Sequence, residues 1–255
     1  MNLTNIIIQR PTKTIYRDGN KTIKLMNEEH SAADVLNEAL NLAIVAETGF
    51  KVPALHEVTK IDGKWAIITD YIEGETLRDI IDDDKKNAAN VDKHFERFVD
   101  LQLKMHGFSA SKLRHLTDKM HAKISAGSGH GLEATTRYEL HNRLNALPYH
   151  KKLCHGDFTP GNVIITPNDE AYVIDWAHAT QGNASADAAR TYLRFTLFGL
   201  EEYAEKYLSM FCKKSDTARQ YVQKWMCIVA ASQLVKGIPE ERELLLSWTN
   251  VFEYE

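Results

Sequence analysis

The hydrophobic period of this 255-residue chain changes near Gly74, and that change constrains the fold most. Before it, apolar residues come in short, β-branched runs: Ile6–Ile8, Ile15–Tyr16, Thr22–Leu25, Ala54–Lys60 and Trp65–Ile72. Turn residues separate them. Asp18-Gly19 and Asp62-Gly63 each sit between apolar runs, a strong hairpin signal. One helix interrupts the strands. Ser31 is its N-cap with Asp34 three residues on, and it runs to about Glu47, with Gly49 as its stop. From about residue 90 the period is helical: Phe95, Val99 and Leu103 share a face, as do Leu113, Leu116 and Met120. Further helices are expected over 133–147 and over the last 70 residues. The expected fold is α+β, with a strand-rich lobe over 1–73 and a helical lobe over 74–255.

Inside the helical part sits a β-rich insert, residues 153–176. Val163–Thr166 and Ala171–Asp175 are apolar and β-branched, and Pro167–Glu170 is a turn. Pairing Thr166 with Ala171 would set Asn162 opposite Asp175, with Asp157 on the loop entering the same end. A carboxylate and a carboxamide at one strand end suit Mg²⁺, which takes oxygen ligands. A second carboxylate can orient a hydroxyl and accept its proton. Those are the requirements of phosphoryl transfer. Each residue alone also reads as an ordinary turn or strand-end group; the set at this spacing favours chemistry.

His155-Gly156-Asp157-Phe158-Thr159-Pro160-Gly161-Asn162 followed by Ile174-Asp175-Trp176 resembles the H-G-D-x-x-x-x-N and I-D-W motifs of the aminoglycoside phosphotransferase and choline kinase branch of the protein-kinase-like fold. The resemblance implies a bilobal fold, Asp157 as catalytic base, and Asn162 and Asp175 as Mg²⁺ ligands. It makes His155 a structural member of the loop and Asp187 its brace, although an acid at a helix N-terminus is common in any fold. It implies ATP or GTP as co-substrate, with Lys24 on the phosphates and a helix glutamate holding that lysine. Glu38 borders the apolar stripe of Val35 and Leu42 and precedes Val52-Pro53, which selects it over Glu28 and Glu47. Thr69, Asp70, Tyr71 and Ile72 resemble the interlobe hinge that meets adenine.

Departures from the pattern narrow the activity. Gln9–Thr14 holds no glycine, so Thr12, Lys13 or Thr14 would meet phosphate in place of a glycine-rich loop. Gly127–Gly131 is glycine-rich but lies between helices, and reads as a flexible connection. Gly156 stands where protein kinases carry arginine, Trp176 replaces the D-F-G phenylalanine, and no A-P-E follows. A phosphorylation-gated protein kinase is thereby disfavoured against an enzyme acting on a small-molecule hydroxyl. Two rival functions stand beside these: a nucleotide-binding pseudokinase, and a metal-dependent hydrolase built on Asp157 and Asp175.

Net charge is −4, which offers no broad surface for nucleic acid or anionic lipid. Three cysteines without C-x-x-C spacing disfavour zinc and dithiol chemistry and suit a reducing cytoplasm. No apolar run approaches membrane-spanning length, and Met1–Arg10 lacks the basic region of a signal peptide. The expectation is a cytoplasmic protein.

Overall fold

A computed structural model describes residues 3–249. Its first strands are β1 (Ile6–Arg10), β2 (Lys13–Asp18) and β3 (Lys21–Met26), followed by α1 (Ala32–Glu47). Then come β4 (Leu55–Ile61), β5 (Lys64–Asp70), β6 (Glu75–Thr76), α2 (Leu77–Asp84) and α3 (Ala88–His106). α4 (Leu116–Ala126), α5 (Ala134–Ala146), β7 (Lys152–Cys154), β8 (Val163–Ile165), β9 (Ala171–Val173) and β10 (Thr180–Gly182) follow. The chain continues through α6 (Ala184–Leu197), α7 (Glu201–Ser215), α8 (Arg219–Gln223), α9 (Met226–Leu234) and α10 (Arg242–Thr249). Among the described residues no helix is long and apolar enough to cross a membrane.

The chain forms two compact units, residues 1–90 with 159–179, and residues 91–158 with 180–255. The first holds an antiparallel sheet in the order β1-β2-β3-β5-β4. Its turns follow the sequence signals. Asp62 and Gly63 both take left-handed conformations (φ 49° and 81°), as a two-residue hairpin loop requires. The Ser31 hydroxyl accepts the Asp34 N–H at 3.1 Å, and Gly49 leaves the helix at φ 82°. Ala66, Ile67 and Ile68 are all buried, so β5 is apolar on both faces, as a strand inside the sheet should be. Met26 and Ile67 pack on Val35 and Ala39 of α1, and Ile23, Ala66 and Ile68 form the opposite face.

This unit reaches beyond residues 1–73. β6 pairs with β8, and β8 with β9, so the insert at 159–179 joins the N-terminal sheet unit rather than the helices that flank it in sequence. Asn41 of α1 reinforces this by donating to the carbonyls of Trp176 and Ala177 at 3.2 and 3.4 Å. The insert's register is one residue away from the expected one. Val163 pairs with Val173 and Ile165 with Ala171, so Asn162 faces Ile174, whose N–H donates to its carbonyl at 2.9 Å. Asp175 is not its cross-strand partner. The turn is the cause: Thr166 accepts from Asp169 and donates to Glu170, and Asp169 takes φ 62°, giving a three-residue loop.

The second unit is helical, with the short ladder of β7 and β10 embedded in it. Phe95, Phe98, Tyr207, Phe211 and Trp225 are among its fully buried side chains. The glycine-rich segment connects α4 and α5 through a 3-10 turn over 127–130, which the Leu132 N–H closes on the Gly127 carbonyl at 3.0 Å.

Candidate active site

In the first unit, strand and helix periods set the site. Lys24 and Met26 are two apart on β3 and share a face. Lys13 lies directly opposite Met26 and shares it too. That face meets α1, where Glu38 and Ala39 follow Val35 by one turn. Lys24 therefore reaches Glu38 and forms an ion pair with it, both side chains largely buried. Lys24 also donates to Asp175 Oδ1 at 3.0 Å, and Lys13 donates to Asp175 Oδ2 at 3.0 Å. Asp175 itself is held at φ 64°, an uncommon conformation for a non-glycine residue, before the 3-10 turn of 176–178. That turn is fixed by the Trp176 indole, which donates to the Val173 carbonyl at 3.0 Å and packs edge-on against Phe50.

The electrostatics follow from this cluster. Burial pushes the Asp175 carboxyl up, but Lys24 and Lys13 outweigh it and hold it well below the usual carboxylate range. Burial pulls the Lys24 ammonium down, and Asp175 and Glu38 outweigh that, leaving it raised. Lys13 comes out lowered, because its burial and the neighbouring Lys24 exceed the pull of Asp175. Asp175 is thus held as a carboxylate. The Asp175 carboxylate and the Asn162 carboxamide, both on this unit, offer oxygen donors of the kind Mg²⁺ takes. Along the expected hinge, the Asp70 N–H is spent on the Ala54 carbonyl at 3.0 Å and the Tyr71 N–H on the Asn20 carbonyl at 2.8 Å. The Asp70 carboxylate accepts the Ala54 N–H and pairs with His56, Thr69 sits within the ladder, and Ile72 follows half-buried. Arg17 lies over the Tyr71 ring at 3.9 Å.

The second unit holds the H-G-D loop. Gly156 takes φ 79°, which explains a glycine at that position. Buried Asp187 accepts the N–H groups of His155 and Gly156 at 3.2 and 2.7 Å. It also meets His106 Nε2 at 3.0 Å and Gln102 Nε2 at 3.3 Å. Burial raises the Asp187 carboxyl, but the His106 hydrogen bond leads a set of interactions that leaves it lowered. His155 is fully buried, and its Nδ1 accepts the Asp157 N–H at 3.2 Å, so the proton of the neutral ring sits on Nε2. Phe158 stacks on Phe98, and Thr191 Oγ1 donates to the Phe158 carbonyl at 2.9 Å. Asp187 and Thr191, one turn apart on α6, thereby grip the loop on both sides of Asp157.

The Asp157 carboxylate meets two arginines of the same helix. Arg194 Nε lies 3.2 Å and Arg190 Nη2 3.8 Å from its Oδ1. Neither arginine was expected from sequence, and neither were Asn41, His106, Gln102 and Thr191. A signal did exist. Residues 187, 190, 191 and 194 place four polar groups at i, i+3, i+4 and i+7 on a helix otherwise rich in buried apolar residues. The unit boundary falls between Phe158 and Thr159.

Residues 14–222 match the phosphotransferase enzyme family (APH), and the chain belongs to that family. No curated protein matches it in sequence. The fold is similar to that of an aminoglycoside-3'-phosphotransferase of type VIII, at 17% identity and a TM-score of 0.64, covering 89% of this chain and 93% of that one. It is similar also to choline kinase LicA from Streptococcus pneumoniae, at 15% identity and a TM-score of 0.63, covering 98% and 93%. A third is aminoglycoside phosphotransferase APH(3'')-Id from Streptomyces rimosus in complex with ADP and streptomycin, at 17% identity and a TM-score of 0.62, covering 87% and 90%. The expected protein-kinase-like α+β fold is thus the observed one.

Proposed function

We propose that this protein transfers the γ-phosphoryl group of ATP or GTP to a hydroxyl of a small molecule in the cytoplasm. The observation that carries the reading is Lys24 joined to both Glu38 and Asp175 in a chain of this family. Glu38 orients Lys24, whose ammonium binds the phosphates. Lys13 supplies a second cation where a glycine-rich loop would supply backbone amides. Asn162 and Asp175 would hold Mg²⁺, which when bound neutralises charge on the β- and γ-phosphates. Since the amides of Asp70 and Tyr71 are engaged, the base is met through Ile72 and the carbonyl side of the hinge.

Asp157 aligns the acceptor. The acceptor oxygen forms a bond to the γ-phosphorus, the bond from that phosphorus to the nucleoside diphosphate oxygen breaks, and the hydroxyl proton passes to Asp157. Arg190 and Arg194 fix the carboxylate's direction, which matters because positioning supplies most of the rate in phosphoryl transfer.

Acceptor-dependent ADP or GDP release, measured over aminoglycosides, amino alcohols, sugars and their acids, tests this beside Asp157→Asn. The expected result is a turnover that falls by orders of magnitude in the variant while nucleotide affinity holds. Free phosphate released at the same rate with and without any acceptor would instead make the protein a hydrolase.

A further inference from the structure

Phe98, Gln102 and His106 follow one another at one-turn spacing on α3 and form a single stripe against the H-G-D loop and its brace. Phe98 stacks on Phe158, and His106 meets Asp187. Gln102 lies between them, fully buried, and reaches both residues that grip the loop. Its Nε2 donates to Asp187 Oδ2 at 3.3 Å and to Thr191 Oγ1 at 3.4 Å. Its Oε1 accepts from the Tyr207 hydroxyl of α7 at 2.6 Å.

Each proton in this chain has one place. Asp187 is held as a carboxylate and only accepts, so the Gln102 atom facing it is the NH₂. That turns Oε1 toward Tyr207, whose hydroxyl must donate. Burial, and Asp187 after it, push that hydroxyl well above its ordinary value, so its proton stays on. The Tyr207 ring is fixed in turn by Phe98, Phe195 and Phe211, at centroid distances of 5.9 to 6.1 Å. Thr191 is where the chain bears on the loop. A threonine inside a helix readily turns its hydroxyl to the carbonyl one turn back, here that of Asp187. With Gln102 donating to its oxygen, the Thr191 proton goes to the Phe158 carbonyl instead, at 2.9 Å.

We propose that Gln102, its carboxamide locked by the Tyr207 hydroxyl, is a positioning residue for Asp157. It couples Asp187 to Thr191, so that the loop is gripped before and after that carboxylate as one unit. Neither Gln102 nor Tyr207 bonds to Asp157; both act through the loop. Their effect on turnover rests on the phosphotransferase reading, and their effect on the loop does not.

The test uses the full chain. Tyr207→Phe removes one oxygen and keeps the ring in its aromatic setting, and Gln102→Met keeps the volume, so both should fold. Ile228→Val, in the buried α9, is the control for lost stability alone. Two properties are read: amide hydrogen exchange at 155–157, and ADP release from MgATP with kanamycin, choline, ribose and D-glycerate as acceptor probes. In Tyr207→Phe and Gln102→Met, exchange at 155–157 is expected to quicken about tenfold, the equivalent of one lost hydrogen bond. With the most active acceptor, kcat is expected to fall roughly tenfold to a hundredfold, the range for a displaced catalytic group, with the KM for MgATP within about twofold. Ile228→Val should move neither. Tyr207→Phe added to Thr191→Val should lower kcat by less than about threefold further, because both act through one chain. Exchange at 155–157 that is unmoved, or that quickens equally in Ile228→Val, overturns the proposal. So does an unchanged kcat in an active protein, or losses that multiply in the double variant. A wild type that releases no ADP with any acceptor removes the phosphotransferase reading, and the exchange rates alone then decide whether Gln102 and Tyr207 hold the loop.

Discussion

Asp187→Asn tests whether the brace under the H-G-D loop acts through its charge. The wild-type carboxylate is buried and accepts from two backbone amides, His106 and Gln102 at 2.7 to 3.3 Å. The asparagine keeps one acceptor oxygen and turns an NH₂ toward donors. With the NH₂ in the Oδ1 place the Gly156 N–H loses its acceptor; with it in the Oδ2 place the His155 N–H, His106 and Gln102 lose theirs. Leaving a buried donor without its charged acceptor costs about 3 kcal/mol. At roughly 2–4 °C per kcal/mol for a chain of this size, the melting temperature should fall by roughly 10 °C. Urea unfolding measures the free energy directly. The pH dependence has a defined sign. Folded Asp187 titrates below the unfolded carboxyl, near 3.9, so its contribution is complete above that pH and is lost as pH falls through the folded value. The gap between wild type and variant should therefore be constant from pH 6 to 5 and close progressively below about pH 4. A variant within about 1 kcal/mol of wild type at pH 7, or a gap that widens on acidification, would refute the argument.

Two other substitutions probe the first unit. Gly74 has φ 154°, and a Cβ there would stand 2.2 Å from the Ile165 carbonyl oxygen, so Gly74→Ala should destabilise the β6–β8 pairing by about 2–3 kcal/mol; an unchanged melting temperature would contradict this. Lys13 is proposed to supply a cation to the phosphates, so Lys13→Met should weaken nucleotide affinity about fivefold, the equivalent of ~1 kcal/mol, read by intrinsic fluorescence at fixed Mg²⁺; an unchanged affinity would show that Lys13 serves only Asp175.

Local chemistry made much of the fold legible. The Ser31 cap, the Gly49 stop and the Asp62-Gly63 turn depend on neighbours in sequence, and each lies where the residue types place it. The Lys24–Glu38 pair was readable because a strand period of two and a helix period near four direct both side chains into one layer. The 163–173 hairpin was readable as an element but not in register. A four-residue turn and a three-residue loop with Asp169 left-handed look alike in sequence, and the difference moves Asn162 from Asp175 to Ile174.

Sequence by itself determined the family motifs, the alternation of β-rich and helical stretches, and the residue types of the candidate site, because these rest on short-range periodicity and backbone preference. Tertiary structure alone decided that 159–179 joins the N-terminal sheet unit, that α1 holds the turn after Asp175, and that Arg190 and Arg194 converge on Asp157. Those contacts join residues more than thirty positions apart. Coulomb energy and burial depend on distance in space, and only packing sets that distance.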